Sequence, residues 1–218
     1  MKEAMRHLNG HILCAVDCET TGLKAGYHDL IQICVMPLDA ELLPLKTFPP
    51  FYMTIKPQRP ETIDPAAFKV HGIRYGELMK SAEDPFHASE LFEEWFNRMS
   101  LAFNKKIAPL GHNYSFDAGF IKDWLGEDSY ETYFDYHVRD TSAACLFLND
   151  RASFGAEDFP YPKMKLGSIA ARLGVDNQFA HDALQDCLMT AEVYRRMIHS
   201  TLGVSWTPLS PNADAQSS

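Results

Sequence analysis

Two acids one residue apart, Asp17 and Glu19, stand in I-L-C-A-V-D-C-E-T-T-G-L, directly after an apolar run at 12–16 that is β-branched at both ends. Such a run reads as a buried strand. Alternate side chains of a strand leave on one side, so both carboxylates enter the same space. Like charges there repel, and burying them unpaired is costly, so a divalent cation between them is the simplest remedy. Three further positions complete a candidate constellation. Asp117 lies in G-H-N-Y-S-F-D-A-G-F, near the start of a helix that follows a strand; His181 and Asp186 lie in A-H-D-A-L-Q-D-C, at and just inside the start of the last long helix. Together they make four carboxylates and one neutral base. Any one of these acids alone reads as an ordinary strand-end or helix-first-turn residue. The set in matched settings does not.

The elements that must position these residues follow from periodicity and punctuation. Further strands are expected at 30–38 and, after the Pro49-Pro50 interruption, at 51–56, with a loop at 57–60. Segment 63–73 reads as a short helix with Asp64 as cap, Pro65 in its first turn and Gly72 at its end. Residues 89–103 carry Leu91, Phe92, Trp95, Phe96 and Met99 as a helical stripe. A strand at 107–111, a helix at 116–125, an edge strand at 136–140 and a helix at 141–148 follow. The polar stretch 149–162 reads as a loop long enough to carry a function. Helices at 165–173 and 183–198 complete the series, and Gly22 marks where the chain turns away from the first strand. Strands first, then alternating helices and strands, predict one α/β domain with a mixed sheet over 1–203. Residues 204–218, with two prolines and no periodicity, read as a mobile tail.

With 218 residues and 46% hydrophobic content the chain can bury one full core. A formal charge of −9 argues against a broadly basic nucleic-acid reader, though not against an enzyme that grips a short strand locally. The five cysteines are dispersed, odd in number and without metal-finger spacing. Cys14 and Cys34, in apolar strand-like runs, read as reduced core residues, and an intracellular, cytoplasmic setting follows. No apolar stretch is long enough for a signal peptide or a membrane span, so no membrane partner is expected. The sequon at Asn113 is incidental in such a chain. A zinc hydrolase would need histidine or cysteine clusters that this sequence lacks.

The motifs D-x-E-T-T-G, N-x-x-F-D and H-D-A-L-x-D, in that order, resemble those of the DEDDh exonucleases, the DnaQ-like branch of the RNase H-like fold. The connecting segments I-D-P-A-A-F-K-V-H-G-I, R-D-T-S-A-A-C-L and K-L-G-S-I-A-A-R-L-G-V are similar to that family too, so the resemblance spans about 10–197. It implies a central mixed sheet of about five strands flanked by helices. It also implies a 3′→5′ exonuclease that removes nucleoside 5′-monophosphates from free 3′ ends of single-stranded nucleic acid, DNA more than RNA.

By the same resemblance, Asp17, Glu19, Asp117 and Asp186 hold two divalent ions suited to in-line displacement at phosphorus. Asp17 would be shared by both ions, with Glu19 and Asp186 on one and Asp117 on the other through water. Oxygen-only ligation favours Mg²⁺ or Mn²⁺. His181 is the implied general base, a role suited to a side chain that changes charge near neutral pH. Thr20, Thr21 and Leu23 are implied to hold the terminal nucleotide, Val70 and His71 its base and sugar, and Asn113 and Phe116 the penultimate nucleotide. Blander readings stand beside these: His71 as a helix-end residue, Phe116 as core, Asn113 as a helix cap. Asp140 reads as a cap and Asp182 as a helix-start residue, both outside the chemistry. An exoribonuclease acting on RNA or short oligoribonucleotides is the nearest alternative. A non-catalytic module docking on a polymerase or repair complex is the alternative of another class, and the tail is the candidate docking segment.

Overall fold

A computed structural model describes residues 10–103, 105–176 and 181–201. The expected tail at 204–218 lies outside the described residues. Strand β1 (Ile12–Thr20) is central in a five-stranded sheet that also holds β2 (Leu30–Pro37), β3 (Phe51–Thr54), β4 (Ile107–Gly111) and β5 (Arg139–Asp140), in the order β3-β2-β1-β4-β5. The first three strands run antiparallel, and β4 and β5 join β1 in parallel. This is the predicted mixed sheet.

Alternation along β1 divides the core. Ile12, Cys14, Val16 and Cys18 face one layer, packed with Phe92, Trp95, Phe96 and Met99 of α3 (Pro85–Phe103) and Phe120 and Ile121 of α4 (Ser115–Leu125). Leu13 and Ala15 face the other, against Ala183, Cys187 and Ala191 of α8 (Ala183–Thr201). By the same period of two, Asp17 and Glu19 continue the α8 face. The opposite side of α8, through Met189, Val193 and Met197, packs on Cys145 of α6 (Thr141–Phe154) and on Ile169 and Ala170 of α7 (Leu166–Arg172). Helix α8 is therefore clasped from both sides, and its first turn is fixed over the end of β1.

Helix α1 (Pro65–His71) has the predicted punctuation: the Asp64 carboxylate accepts from Ala66 N, and Gly72 ends the helix at φ 70°. Two seven-residue helices, α2 (Tyr75–Ser81) and α5 (Glu127–Tyr133), have no counterpart in the sequence reading. Helix α5 buries none of its residues and carries three acids, so it presents no apolar stripe to read. The expected edge strand at 136–140 shrinks to Arg139–Asp140.

The expected loop at 149–162 needs correction, because α6 continues to Phe154 before ending at Gly155. The polar Asn149 that suggested a loop is buried. Its Nδ2 donates to Tyr161 O and its Oδ1 accepts from Tyr161 N, both at 2.8 Å, so the side chain pairs with backbone across the segment. Gly22 is required for space rather than for a turn conformation, since a Cβ there would lie 2.4 Å from the His28 ring.

Asp140 does more than cap. Its carboxylate accepts from Ser142 N at 2.8 Å at the start of α6, and from Asn113 N at 3.0 Å and Tyr114 N at 2.8 Å at the turn into α4. Burial pushes its carboxyl up, but the bonds from Ser142, Asn113 and Tyr114 outweigh that and hold it below the ordinary carboxylate range. Asp140→Ala is expected to lower unfolding free energy by about 2–3 kcal/mol, as a lost cap plus orphaned amides. Urea titration monitored by circular dichroism would measure it.

Candidate active site

Oxygens of Asp17 and Glu19 on β1 and Asp186 on α8 all lie within 4.8 Å of one another. Glu19 and Asp186 are buried and Asp17 is half-buried. Asp117 comes to the same end of β1 from α4 on the opposite layer. Its Oδ1 accepts the Cys18 amide at 3.0 Å, between the two β1 acids in sequence. The fold thus brings three of the four predicted carboxylates into one group and sets the fourth against the strand that bears two of them.

The two oxygens of Asp186 differ. Oδ2 accepts the His181 amide at 3.0 Å, while Oδ1 is buried with no hydrogen-bond partner among the described residues. An orphaned carboxylate oxygen beside two more carboxylates is the donor set that a hard divalent cation requires. The residues present fit such an ion. His181 itself is exposed and stands at φ 75°, a left-handed conformation that costs a non-glycine residue about 1 kcal/mol or more. Its bond to Asp186 helps to hold it there.

The electrostatics carry the same signature. Burial first, then the charges of Asp117, Asp186 and Glu19, hold the Asp17 carboxyl well above its ordinary range. Burial, with Asp186 and Asp117 next, pushes Glu19 up to about 8. Burial raises Asp117 to about 8 against the opposing hydrogen bond from Cys18. Asp186 is raised by burial and by Asp182, despite the His181 amide. Without a cation, this end of the sheet resists ionisation.

The other sequence candidates fall into two groups. Leu23 is 81% exposed and Val70 56% exposed, and Asn113 is exposed at φ 60°. These three present surfaces to solvent. Thr20 and Thr21 are buried in the turn: Thr20 Oγ1 donates to Gly22 O at 2.7 Å, and Thr21 Oγ1 accepts from Asp29 N at 2.8 Å. Their side chains shape the turn itself. Phe116 is half-buried against Phe120, with ring centroids 5.0 Å apart. Asn113 does not cap α4, whose cap position is Tyr114.

His71 is buried, and its Nδ1 accepts from Ile73 N at 3.1 Å. Its Nε2 therefore carries the proton of the neutral ring, buried with no partner among the described residues. Burial, then the charge of His181, lowers its pKa. Its neighbour by that interaction is the candidate base.

Sequence reasoning missed Gln32, Tyr52 and Arg59. Arg59 Nε donates to Asp29 Oδ1 at 2.8 Å and its Nη2 reaches Asp123, tying the turn after β1 to α4. The signal that could have found Gln32 is a lone amide inside the apolar run of β2.

The mixed sheet of this order, flanked by helices and with acids of its central strand and of α8 grouped at one strand end, is an RNase H-like fold. A family model described as exonuclease (RNase_T) matches residues 14–194. The chain belongs to that exonuclease family, the DnaQ-like branch of the RNase H-like 3′→5′ exonucleases. It is 31% identical over 198 residues to DNA polymerase III subunit epsilon of Pasteurella multocida, covering 84% of this chain and 66% of that protein. It is 28% identical over 187 residues to the 3′-5′ DNA exonuclease Cap18 of Escherichia coli, covering 84% and 90%. A crystal structure of E. coli exonuclease I, described as the zinc-ion-bound form of its complex with single-stranded DNA, aligns with a TM-score of 0.65. That alignment has 18% identity and covers 88% of this chain and 41% of that one. The chain thus spans just under two thirds of the polymerase subunit and less than half of exonuclease I.

The raised carboxyls fix a pH dependence for the metal-free protein. An acid with a folded pKa above its unfolded value binds more protons when folded, so stability falls as pH rises between the two. For Glu19 and Asp117 that window runs from the ordinary carboxylate range to about 8. Melting temperature in chelator is expected to decline from pH 5 to pH 8, and Glu19→Gln should flatten the decline. Thermal scans across that range check it.

Proposed function

We propose that this chain is a metal-dependent exonuclease that hydrolyses single-stranded DNA from free 3′ ends and releases nucleoside 5′-monophosphates. The observation that carries the reading is the Asp17–Glu19–Asp186 group, with its unpartnered Asp186 oxygen and Asp117 alongside. These four residues would hold two divalent ions, Mg²⁺ or Mn²⁺ by the all-oxygen donor set. Bound there, the ions would supply Lewis acidity at the phosphate and lower the pKa of the attacking water.

The chain's own residues do the rest. His181, exposed and held through its amide by Asp186, takes the proton of the attacking water. Leu23 and Val70 offer apolar surface to the terminal nucleotide, and the buried Nε2–H of His71 offers it a donor. The turn carrying Thr20 and Thr21 sets where Leu23 stands. Asn113 and the exposed part of Phe116 serve the penultimate nucleotide, where stacking tolerates any base.

DNA is favoured because Cap18 and the polymerase subunit are both named as DNA enzymes. The same name supports a polymerase or repair complex as partner, with residues 204–218 as the docking segment. Five free, buried cysteines support a reducing, intracellular setting. Among the described residues no helix is long and apolar enough to cross a membrane.

The test is digestion of 5′-labelled single-stranded DNA and RNA of one sequence, with Mg²⁺, Mn²⁺ or chelator. A ladder shortening from the 3′ end of DNA, abolished by chelator, is expected. A strong preference for RNA would replace the substrate, and no metal-dependent digestion of either would end the reading. His181→Ala is expected to lower kcat by about 10²–10⁴-fold, the usual share of a general base. Millimolar Mn²⁺ should raise the melting temperature, by binding the folded state alone, and Asp17→Asn should abolish the rise.

A further inference from the structure

Strand register places a second row of side chains beside the acids. Across the antiparallel pairs, Asp17 lies opposite Cys34, Glu19 opposite Gln32, and Cys34 opposite Tyr52. Directly opposed residues share a face of the sheet, so Gln32 and Tyr52 stand on the α8 face with the two β1 acids. There they meet the first turn of α8. Gln32 Oε1 accepts the Ala183 amide at 2.9 Å, and Gln32 Nε2 donates to Tyr52 Oη at 3.0 Å. The Tyr52 hydroxyl spends its own proton on Asp182 Oδ2 at 2.6 Å. Asp182 Oδ1 in turn accepts from Leu184 N and Gln185 N, each at 3.2 Å. Every bond in this chain has a fixed donor and acceptor, and it begins on β2, crosses β3 and ends on the residue after His181.

We infer that Gln32 and Tyr52 are positioning residues for His181, a clamp through Asp182 and Ala183 that sets where the α8 first turn and the base ahead of it stand. This rests on His181 acting as the base. The local backbone makes a clamp necessary. His181 holds a left-handed conformation that its own side chain disfavours, and on the helix side its amide is tied to Asp186. A strained residue persists only where its surroundings over-determine it, and the Gln32–Tyr52 pair supplies a further constraint from the sheet. Tyr52 is 41% exposed on the sheet's edge strand, so its hydroxyl contributes little to core packing. Its hydrogen bond is what the clamp uses.

Two variants isolate that bond. Tyr52→Phe removes the hydroxyl and keeps the ring. Asp182→Ser keeps an oxygen able to cap the helix but is too short to reach Tyr52. Amide hydrogen exchange over 181–185 is expected to rise about tenfold in either variant, with β1 unchanged, as local opening becomes easier. On DNA, kcat is expected to fall about tenfold with KM within about twofold, and the double variant should be no worse than either single one. Unchanged exchange at 181–185 would overturn the clamp. Raised exchange with unchanged kcat, a rise confined to KM, or additive losses in the double variant would overturn its role in positioning the base. Should the unmodified protein digest neither DNA nor RNA, the exchange measurement still decides the clamp, and the nuclease reading alone fails.

Discussion

Mutual repulsion among acids crowded at one end of β1 is the constraint on which the rest of the structure depends. Folding places Asp17, Glu19, Asp117 and Asp186 where burial opposes the ionisation of each and nearby acids add to it, outweighing what favours it at Asp117 and Asp186. Only a core that is independently stable can impose that arrangement. It is supplied by apolar packing on both faces of β1 and by the clasping of α8 between the sheet and helices α6 and α7. The fully buried α8 residues on the sheet side are small, Ala183, Cys187 and Ala191, and Asp186 beside them lies with the strand acids. Packing geometry and site geometry are the same fact at two scales.

Backbone amides give the acids their orientation. Asp117 is held by the amide of Cys18, and Asp186 holds the amide of His181. Each bond removes rotamer freedom from a carboxylate that would otherwise swing away from like charge. Asp140 acts in the same way farther from the acids, joining the starts of α4 and α6 so that Asp117 arrives from a fixed turn. The scaffold around the site is therefore made largely of side chain-to-backbone bonds, which set direction where repulsion alone would leave it free.

Much of this was legible in the sequence, and what was not has physical reasons. β4 falls where its apolar run predicts, and the α1 cap where Asp64 and Pro65 predict it. The shared side of Asp17 and Glu19 followed from strand period, and the place of Asp186 beside them was implied by the family resemblance. The extension of α6 did not, because Asn149 signals a loop until its partner at Tyr161 is known, twelve residues away. Helices α2 and α5 were illegible because seven residues with little buried surface leave no periodic trace. Gln32 left one trace, a lone amide in an apolar strand, but its partners and the role of Tyr52 exist only in the register between strands, which one sequence does not display.

That β1 carries both its packing code and its acids in a single alternating pattern has an evolutionary consequence. Leu13, Ala15, Asp17 and Glu19 share one parity, while Cys14, Val16 and Cys18 share the other. Losing or gaining one codon within 12–16 would reverse the parity and drive both acids toward Phe92 and Phe120, in an aromatic interior with no counter-charge. Substitution can explore this strand one side chain at a time, but a change of length there destroys packing and chemistry together. Lineages descending from this chain should show length variation in their connecting turns and none along the central strand.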